Sequence, residues 1–525
     1  MCLFSKPPPL ALVAALLLAA AVVSPSYLHP DEHHQTAELV APSVLATRPH
    51  LPWEATAAAP LRSLYIPWLV AGLPWMLISA IAPSALTPSV IVAAPRIASA
   101  LFIALPAHCC VMALARALSK DVPDAGVAGR PGSAASASSP RKASVRSTSQ
   151  VRREGLRLRH RHSVTDEEPL ASAQPPPSSV GDAHGFVASV GWLMATAWPV
   201  LIIGARPLAN GVEAAAAAAA LLTADRWRRR DCNASDIVPV AVVVALGIYL
   251  RPSFLGFAGG LALVMASWAG WDPKRMFGSV AVGLAVVAGV WLAAACGETL
   301  LYRYTLSDHT GHNYEALVVP PINFVAYNGD AASVASHGLH PRATHALVNT
   351  VMLFGPLWAM AGYGLAAGRQ MSAGLRWVMV PALAFLCLLS IVPHQEPRFL
   401  APMMASVAVL GAGAVQELGP IGRKRFWASW AVFNLATLGV FGVLHQGGVV
   451  PGAVWVASEA GPDATVVGFH TYMLPAHVIA RSGARVVDLG GTGVSALVEA
   501  LSRSGGRAFV LAPSTRHRLL SAPLV

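Results

Sequence analysis

Residues 10–35 read LALVAALLLAAAVVSPSYLHPDEHHQ. This stretch begins with an uncharged apolar run, Leu10–Leu28, and continues with seven mostly polar residues that begin at His29. As a helix, a run of this length can cross the hydrocarbon core of a bilayer, which is roughly 30 Å thick. It is either a cleaved signal peptide or a first transmembrane anchor. In both cases the polar residues that follow it are delivered to the lumenal side of a membrane.

The composition extends this interpretation to the whole chain of 525 residues. Hydrophobic residues make up 55% of the sequence, charged residues only 12%, and the mean hydropathy is +0.54. So few charges cannot solvate a water-soluble protein of this size, and uncharged runs of 17 to 23 residues recur. The sequence therefore predicts a polytopic membrane protein. A cytosolic enzyme, a secreted domain and a nucleic-acid-binding protein are excluded as the main interpretation, despite a pI near 9.7.

Further apolar runs set the predicted number of membrane crossings. The proline-broken stretch Leu64–Pro95 is interpreted as a re-entrant or membrane-surface segment, followed by one crossing at about 97–115. The later runs are Phe186–Gly204, Pro207–Ala224, Ile237–Leu250, Ser253–Trp271, Met276–Cys296, Ala346–Gly368, Trp377–Pro393, Phe399–Val415 and Phe426–Leu444. The prediction is eleven crossings, with the first polar loop (29–62) and the C-terminal tail both lumenal.

The positions of the basic clusters decide which loops are assigned to the cytosolic side of the membrane. Between Arg141 and Arg161, eight Lys or Arg residues accompany one acid, Glu154, and smaller basic clusters lie at 226–230, 274–275 and 423–425. Such clusters are typical of cytosolic loops. They are either simply solvated or in contact with anionic membrane lipids. The glycosylation sequon at Asn233 then lies in the cytosol, and we predict that it is unmodified.

Four regions follow from these boundaries. Residues 1–118 hold the first helix, a catalytic lumenal loop and the second membrane segment, and 119–185 form a disordered basic cytosolic insertion. Residues 186–444 form a transmembrane bundle with lumenal motif loops, and 445–525 form a small lumenal α/β region. In this last region β-like runs at 464–468, 484–489 and 508–511 alternate with a helical stretch near 494–502. The predicted fold class is an all-α polytopic membrane protein with this small α/β region.

Neither the cysteines nor the glycine-rich stretches indicate a cofactor. The six cysteines form no CxxC motif and no metal-ligand spacing, so we expect no disulfide framework and no structural zinc. Residues 486–493 (VVDLGGTG) imitate the glycine loop of a methyltransferase, but no βαβ array of adequate length surrounds them. A glycine turn between a strand and a helix explains them better.

Polar residues gather in the predicted lumenal loops. Any one of them could cap a helix or lie at a helix end, but nine such sites on one side indicate a polar cavity for an ionic substrate. Asp31, beside Glu32, offers a carboxylate that can accept a hydroxyl proton. Arg398 with His394 offers hydrogen-bond donors for a phosphate. This combination of base and phosphate-binding cation fits group transfer from a lipid phosphate, although spacing alone does not name the group.

Three motifs carry a resemblance to a known family. HPDEHHQ (29–35), WE with LRS (53–63) and HQEPRFL (394–400) resemble the dolichol-phosphate-mannose-dependent mannosyltransferases of the endoplasmic reticulum. HGLHPRATHALVN (337–349), PHQEPRFLAP (393–402) and GVLHQGGVVP (442–451) are similar to the branch of this family that adds the fourth, side-branch mannose to the GPI core. The resemblance runs from residue 29 to about 475, interrupted by the insertion at 119–185.

The resemblance implies a GT-C-type fold with a large first lumenal loop, in a multi-pass protein of the endoplasmic reticulum membrane. It implies inverting transfer of mannose from dolichyl-phosphate mannose to the 2-hydroxyl of the third GPI mannose. Asp31 is the expected catalytic base, with Glu32 beside it. His394 and Arg398 are expected on the side of the donor phosphate, with Arg206 and Arg251 behind them. The expected partners are the donor, the GPI precursor and membrane lipids, without a cofactor, a metal or a nucleic acid.

The other lumenal motif residues are expected to bind substrate. They are His29, Gln35, Trp53, Glu54, Asn323, Tyr327, His340, Arg342, His345, Gln395, Glu396, His445 and Gln446. Glu298 stands where the family has an acid before an aromatic-rich loop, and its role is left open.

Several alternatives stay open. Within the family, the third GPI mannose or an N-glycan precursor is the next candidate product. A secondary transporter would place ionisable residues near the middle of the membrane and show paired broken helices. Here the charges lie at one face and no internal repeat is visible. A catalytically dead homologue or a lipid-binding scaffold is disfavoured because both Asp31 and Arg398 are present.

Overall fold

The first apolar segment forms the helix Leu10–Val23 in the computed structural model, which describes residues 5–47, 50–57, 59–121, 179–330, 332, 338–367 and 370–516. The predicted basic insertion lies mostly between 121 and 179, outside the described residues. Only its two ends are described. Ser119–Asp121 form a turn, and the helix Ser179–Thr196 begins before the predicted boundary at 186.

Helices dominate the described chain. The α-helices are Leu10–Val23, Glu38–Leu45, Trp53–Thr56, Tyr65–Pro67, Leu73–Ile81, Pro88–Ser99, Leu105–Leu118, Ser179–Thr196, Ala209–Arg228, Val238–Leu250, Leu255–Trp268, Pro273–Thr310, Pro320–Gly329, Thr350–Phe354, Pro356–Ala366, Gln370–Leu375, Met379–Ile391, Met404–Gln416, Pro420–Thr437, Val449–Glu459, Ala476–Ala480 and Val494–Ser502. Wider π-helical turns join several of them into longer helices. These turns are His33–Ala37, Trp68–Gly72, Ala100–Ala104, Pro199–Ile203, His345–Asn349 and Leu438–Leu444. Such turns inside α-helices are frequent at functional sites.

The proline-broken stretch divides at a different place from the predicted one. The chain leaves the helix at Ala82 and re-enters it at Pro88, where the hydroxyl of Thr87 accepts a hydrogen bond from the backbone N–H of Val90. Proline at the first position of a helix is favoured because its missing N–H has no partner there in any case. Pro95 lies inside this helix, so the long apolar helical stretch runs over Pro88–Asp121 instead of beginning at 97.

The helix predicted to end at Cys296 is longer and continues to Thr310. It begins with Asp272, whose side chain accepts a hydrogen bond from the backbone N–H of Lys274 at 2.9 Å. It ends at Gly311, whose φ of +73° suits glycine and stops the helix. Glu298, placed by the sequence in a lumenal loop, is therefore on a helix and fully buried.

The single crossing predicted at Ala346–Gly368 is broken. The helical segments His345–Phe354 and Pro356–Ala366 meet at an angle of 115°. Gly355 lies between them with φ +49° and ψ −129°, a conformation that side chains disfavour, and a Cβ there would meet the ring of Phe433 at 2.7 Å. Pro356 then starts the second segment.

Four helical stretches are long and apolar enough to cross a bilayer: Pro88–Asp121, Met276–Thr310, Pro397–Gln416 and Pro420–Glu459. The bent pair at 345–366 is a fifth if it is one span, and shorter apolar helices lie at 10–23, 65–81, 235–250, 252–268 and 376–391. These lengths and compositions, taken over the described residues, belong to a multi-pass membrane protein. The count of eleven crossings and their sidedness stay predictions.

The C-terminal region contains a small parallel sheet. Its strands are β1 (Thr465–Gly468), β2 (Arg485–Asp488) and β3 (Ala508–Leu511), in the order β2-β1-β3. The β-like runs of the sequence predict strands at 464–468, 484–489 and 508–511, and the observed strands lie within these three ranges. The glycine-rich stretch at 488–493 is the turn from β2 into the helix Val494–Ser502.

Candidate active site

The polar residues after the first helix open a second helix that carries the predicted base. The chain is helical from residue 31 to residue 45, and its first turn is closed by the backbone N–H groups of His33 and His34, which both donate to the carbonyl of Pro30. The side chain of Asp31 is at the start of this helix and is partly exposed. Asp31 is therefore presented from a rigid element rather than from a loose loop.

Asp31 and Arg398, far apart in sequence, are in direct contact. The Nη2 atom of Arg398 lies 2.7 Å from Oδ2 of Asp31, and Nδ1 of His29 lies 3.3 Å from Oδ1. The predicted base and the predicted phosphate-binding arginine are thus brought together in one site.

A second carboxylate holds Arg398 from the other side. Nε of Arg398 donates to Oε2 of Glu396 at 2.6 Å, and Nε2 of His394 lies 2.8 Å from Oε1 of the same carboxylate. Nε2 of His29 lies 3.6 Å from Oε2. We call these five residues, His29, Asp31, His394, Glu396 and Arg398, the catalytic cluster.

Electrostatics of the cluster set the charge states of its members. Burial alone would raise the pKa of Asp31, but the charge of Arg398 and the hydrogen bond from His29 outweigh it and hold the pKa well below its ordinary value. Burial likewise works against ionisation of Glu396, and Arg398 and His394 again lower its pKa. The hydrogen bond to Glu396 raises the pKa of His394 above its ordinary value. At neutral pH both carboxylates are therefore ionised.

Glu32, predicted to act beside Asp31, points elsewhere and is completely buried. Its Oε1 atom accepts hydrogen bonds from Nε of Arg96 at 2.7 Å and from Nη1 of Arg206 at 2.8 Å. The same two guanidinium groups also bond the backbone or hydroxyl oxygens of Ser24 and Ser26. This arrangement ties the end of the first helix to the start of the second.

The predictions for Glu32 and Arg206 therefore need correction. The structure places neither with the catalytic cluster, because both are sealed in the interior and paired with each other. A buried carboxylate is costly unless it is paired, and here two guanidinium groups provide the pairing. The signal in the sequence that could have indicated this partnership is Arg96, an isolated charge between two apolar stretches.

Two more arginines line a cleft next to the catalytic cluster. The cleft is bordered by Arg62, Arg251, Tyr249, Pro320 and Phe324, among others. The guanidinium of Arg251 packs 5.8 Å from the ring centre of Phe399, and that of Arg398 packs 5.4 Å from the same ring. Arg251 is thus brought beside Arg398 as predicted, and Arg62 joins them.

Each of these arginines has a carboxylate partner of its own. Arg62 donates to both oxygens of Glu54, from Nε at 3.0 Å and from Nη2 at 2.8 Å. Nε of Arg251 lies 3.5 Å from Oε2 of Glu213, whose other oxygen accepts a hydrogen bond from Ser253 at 2.6 Å. Glu54, predicted to bind substrate, therefore orients Arg62 instead of standing alone. Glu213 was missed, although it is the one acid beside the alanine run 214–220.

Glu298 supports the backbone that carries Arg62. Its carboxylate accepts hydrogen bonds from the hydroxyl of Ser63 at 2.8 Å and from the backbone N–H of Leu64. Tyr302, one turn further along the same helix, donates its hydroxyl to the carbonyl of Arg62. Glu298 thus fixes the first polar loop (29–62) and the residues that follow it from the long helix, which gives this acid, left open by the sequence, a structural contact.

The helix Pro320–Gly329 covers the first loop. The ring centres of Trp53 and Tyr327 are 4.9 Å apart, and Nδ2 of Asn323 donates to the carbonyl of Pro60 at 2.9 Å. The side chain of Trp53 is nearly half exposed. The structure brings these three predicted residues together at the edge of the cleft.

Gln395 joins the two late motifs. Its Oε1 accepts a hydrogen bond from the backbone N–H of His345 at 2.8 Å, and its Nε2 lies 3.2 Å from the carbonyl oxygen of Arg342. Its backbone N–H lies 3.3 Å from Nδ1 of His340, and the guanidinium of Arg342 donates to the carbonyl of Ile391. Gln395 and His345 are buried, so these residues position the loop that carries His394 and Glu396.

Of the remaining predicted residues, His445 lies near the cluster. Nε2 of His445 is 3.4 Å from the hydroxyl of Tyr472, and its carbonyl accepts a hydrogen bond from the backbone N–H of Tyr27. Gln446 has a left-handed φ of 51° and is half-buried, as is Gln35 on the helix of Asp31.

The comparison with family models decides the classification of the chain. Residues 9–460 match the model of the Alg9-like mannosyltransferase family.

The chain belongs to the Alg9-like mannosyltransferase family.

It is therefore a glycosyltransferase, and the match covers every residue of the catalytic cluster and of the cleft. The resemblance inferred from the motifs is confirmed at the level of the family.

Similar proteins fall in one branch of this family. The human protein named GPI alpha-1,2-mannosyltransferase 4 is 31% identical over 322 residues, which cover 53% of this chain and 54% of that protein. The Aspergillus oryzae protein named GPI mannosyltransferase 4 is 28% identical over 537 residues, which cover 94% of this chain and 84% of that protein. Among solved structures, ArnT from Cupriavidus metallidurans in the apo state has a TM-score of 0.48 at 11% identity, covering 98% of this chain and 94% of that one. This chain thus matches about half of the human relative and most of the fungal one.

Proposed function

We propose that this mannosyltransferase transfers mannose from dolichyl-phosphate mannose to the 2-hydroxyl of the third mannose of the GPI precursor. The product is an α-1,2-linked fourth mannose. The family match and the relatives named GPI mannosyltransferase 4 support the sugar and the pathway. The observation that carries the proposal is the contact of 2.7 Å between Asp31 and Arg398, which joins a carboxylate base to a phosphate-binding cation.

In the proposed reaction, Asp31 takes the proton of the acceptor hydroxyl as its oxygen attacks C1 of the mannose. The bond between C1 and the phosphate oxygen breaks, and the lipid phosphate leaves with the electron pair. Attack opposite the leaving group inverts the anomeric centre, so a β-linked donor gives an α-linked product. Arg398, Arg251 and Arg62 supply fixed positive charge to the departing phosphate, which is where such charge stabilises a transition state.

The resting contact of Asp31 gives the donor a role in activating the base. While Arg398 pairs with Asp31, the carboxylate is a weak base, because its pKa lies well below the ordinary value. A bound phosphate competes for the same guanidinium, and Arg398 can turn to it while Glu396 still holds its Nε. Asp31 then loses its strongest partner, its pKa rises, and it becomes a stronger base only when the donor is in place.

We place the reaction at the lumenal face of the endoplasmic reticulum membrane. The support is the separation of charge in the sequence, with the basic clusters on one side and the catalytic motifs on the other. The sequon at Asn233 tests this sidedness. We expect Asn233 to carry no glycan, and a glycosidase-sensitive mass shift mapped to it would overturn the proposed topology.

The decisive experiment is a transfer assay. Microsomes that express this chain in cells lacking fourth-mannose activity are given dolichyl-phosphate mannose and a three-mannose GPI acceptor. We expect addition of one hexose that an α-1,2-specific mannosidase removes, and we expect addition to persist in EDTA because side chains supply the cations. Addition to a two-mannose GPI acceptor or an N-glycan precursor instead would contradict the proposed acceptor.

A further inference from the structure

The C-terminal region lies beyond the family match yet reaches the catalytic cluster. We define the C-terminal lobe as residues 461–512, which contain the parallel sheet of β1, β2 and β3. The family model ends at 460. The segment between β1 and β2, residues 469–484, leaves the sheet and packs against the second helix and the first loop. The site described so far is therefore incomplete without this lobe.

Tyr472 forms part of the border of the catalytic cluster. Its ring centre is 6.3 Å from that of His29 and 5.7 Å from that of His445. The next residue, Met473, accepts a hydrogen bond at its carbonyl from the hydroxyl of Tyr27 at 3.0 Å. Since His29 belongs to the catalytic cluster and contacts both Asp31 and Glu396, Tyr472 brings the lobe into direct contact with the cluster.

A buried pair then joins the lobe to the helix of Asp31. The backbone N–H of His477 lies 3.0 Å from Oε1 of Glu38, and Nδ1 of His477 lies 2.9 Å from the same oxygen. Both residues are at most 2% exposed, and Glu38 is on the continuous helix that begins at Asp31. The imidazole of His477 also packs 5.4 Å from the ring of His33 and 5.7 Å from that of Trp75.

The hydrogen-bonded pair of Glu38 and His477 constrains the helix more strongly than apolar packing would. A carboxylate inside a protein is costly unless it is fully hydrogen-bonded, and here both observed donors to Oε1 of Glu38 come from His477. Losing the imidazole donor leaves Oε1 of Glu38 with the backbone N–H of His477 as its one observed donor, and a shift of the helix is a direct way to relieve this cost. Asp31 is two turns away on that rigid helix and moves with it.

We propose that the C-terminal lobe is a working part of the active site, with His477 as a positioning residue that aligns Asp31 through Glu38. Tyr472 closes the side of the site next to His29. The alignment matters because a displacement of about 1 Å of a catalytic group can cost about 100-fold in rate. The lobe therefore governs the chemical step and not the binding of the donor phosphate.

The test compares two substitutions at one position. His477→Ala removes the side-chain donor, whereas His477→Asn keeps an N–H at nearly the place of Nδ1. We expect His477→Ala to lower kcat by about 10- to 100-fold with KM for the donor within about twofold, and His477→Asn to restore most of kcat. Arg503→Ala, which breaks an exposed pair with Glu499 in the same lobe, is the matched control and should leave activity unchanged.

All activities are expressed per folded enzyme, measured as the detergent-extracted, monodisperse fraction. Unchanged kcat of folded His477→Ala, or failure of His477→Asn to rescue it, overturns the proposal. Loss of folded protein in both variants would assign the pair to stability alone and also overturn it. The proposal uses mannose transfer as its readout, so the unsubstituted enzyme is assayed in parallel, and its failure would reject the proposed function instead.

Discussion

Replacing Asp31 with asparagine is the most direct test of the catalytic cluster. Asparagine has the same shape, so the substitution removes the negative charge and the ability to take a proton while keeping an oxygen for His29. Arg398 keeps its 2.6 Å contact with Glu396, and the side chain of Asp31 is partly exposed. We therefore expect normal amounts of correctly inserted protein.

The expected loss of rate follows from the role of a general base. Positioned acid–base groups contribute about 10²- to 10⁴-fold to a rate, which corresponds to about 2.7–5.4 kcal/mol of transition-state stabilisation. The donor should bind at least as well as before, because Arg398 no longer has to leave Asp31 to meet the phosphate. The predicted signature is thus a fall in kcat by about 100-fold or more with no rise in KM for the donor.

The assay is transfer of mannose from dolichyl-phosphate mannose to a three-mannose GPI acceptor in microsomes, with donor concentration varied. Asp236→Asn is the control, because it removes a carboxylate from an ion pair with the exposed Arg230. A variant at Asp31 that keeps more than about a tenth of the kcat would refute its assignment as base. A rise in donor KM with unchanged kcat would instead assign Asp31 to donor binding.

Three further predictions concern stability, pH and the insertion. Glu32→Gln leaves the buried guanidinium groups of Arg96 and Arg206 without their counter-charge, so we expect a loss of about 3–5 kcal/mol of stability. The measurement is the melting temperature of the detergent-solubilised protein, and an unchanged melting temperature would contradict the pairing of Glu32 with these two arginines. The hydrogen bond to Glu396 raises the pKa of His394, so His394 is fully protonated below the ordinary pKa of histidine and loses its proton as the pH rises through the raised pKa of the folded protein. The KM for the donor should rise across that pH range, and His394→Gln should abolish this pH dependence. Deletion of residues 125–175 should leave kcat and KM nearly unchanged, and a stably inserted but inactive deletion would show that the insertion takes part in catalysis.

Much of the site could be predicted because its residues stand in short motifs at the ends of apolar runs. Asp31 stands three residues after the first apolar run, and His394 and Arg398 stand at the start of a late one, so the polar residues beside the apolar runs and the family motifs selected them as candidates. The strands of the C-terminal region were predictable for a similar reason, since a short run rich in Val, Phe and Leu between turn residues is a local signal.

What the sequence by itself determined is the membrane character, the approximate positions of the apolar segments and a set of candidate side chains, since these depend on composition and local order. Only the tertiary structure decided partnership. It paired Asp31 with Arg398 but turned the adjacent Glu32 into the interior toward Arg96 and Arg206. Consecutive residues on a helix point about 100° apart, so which neighbour faces the cleft depends on what packs around the helix, and those groups come from distant parts of the chain.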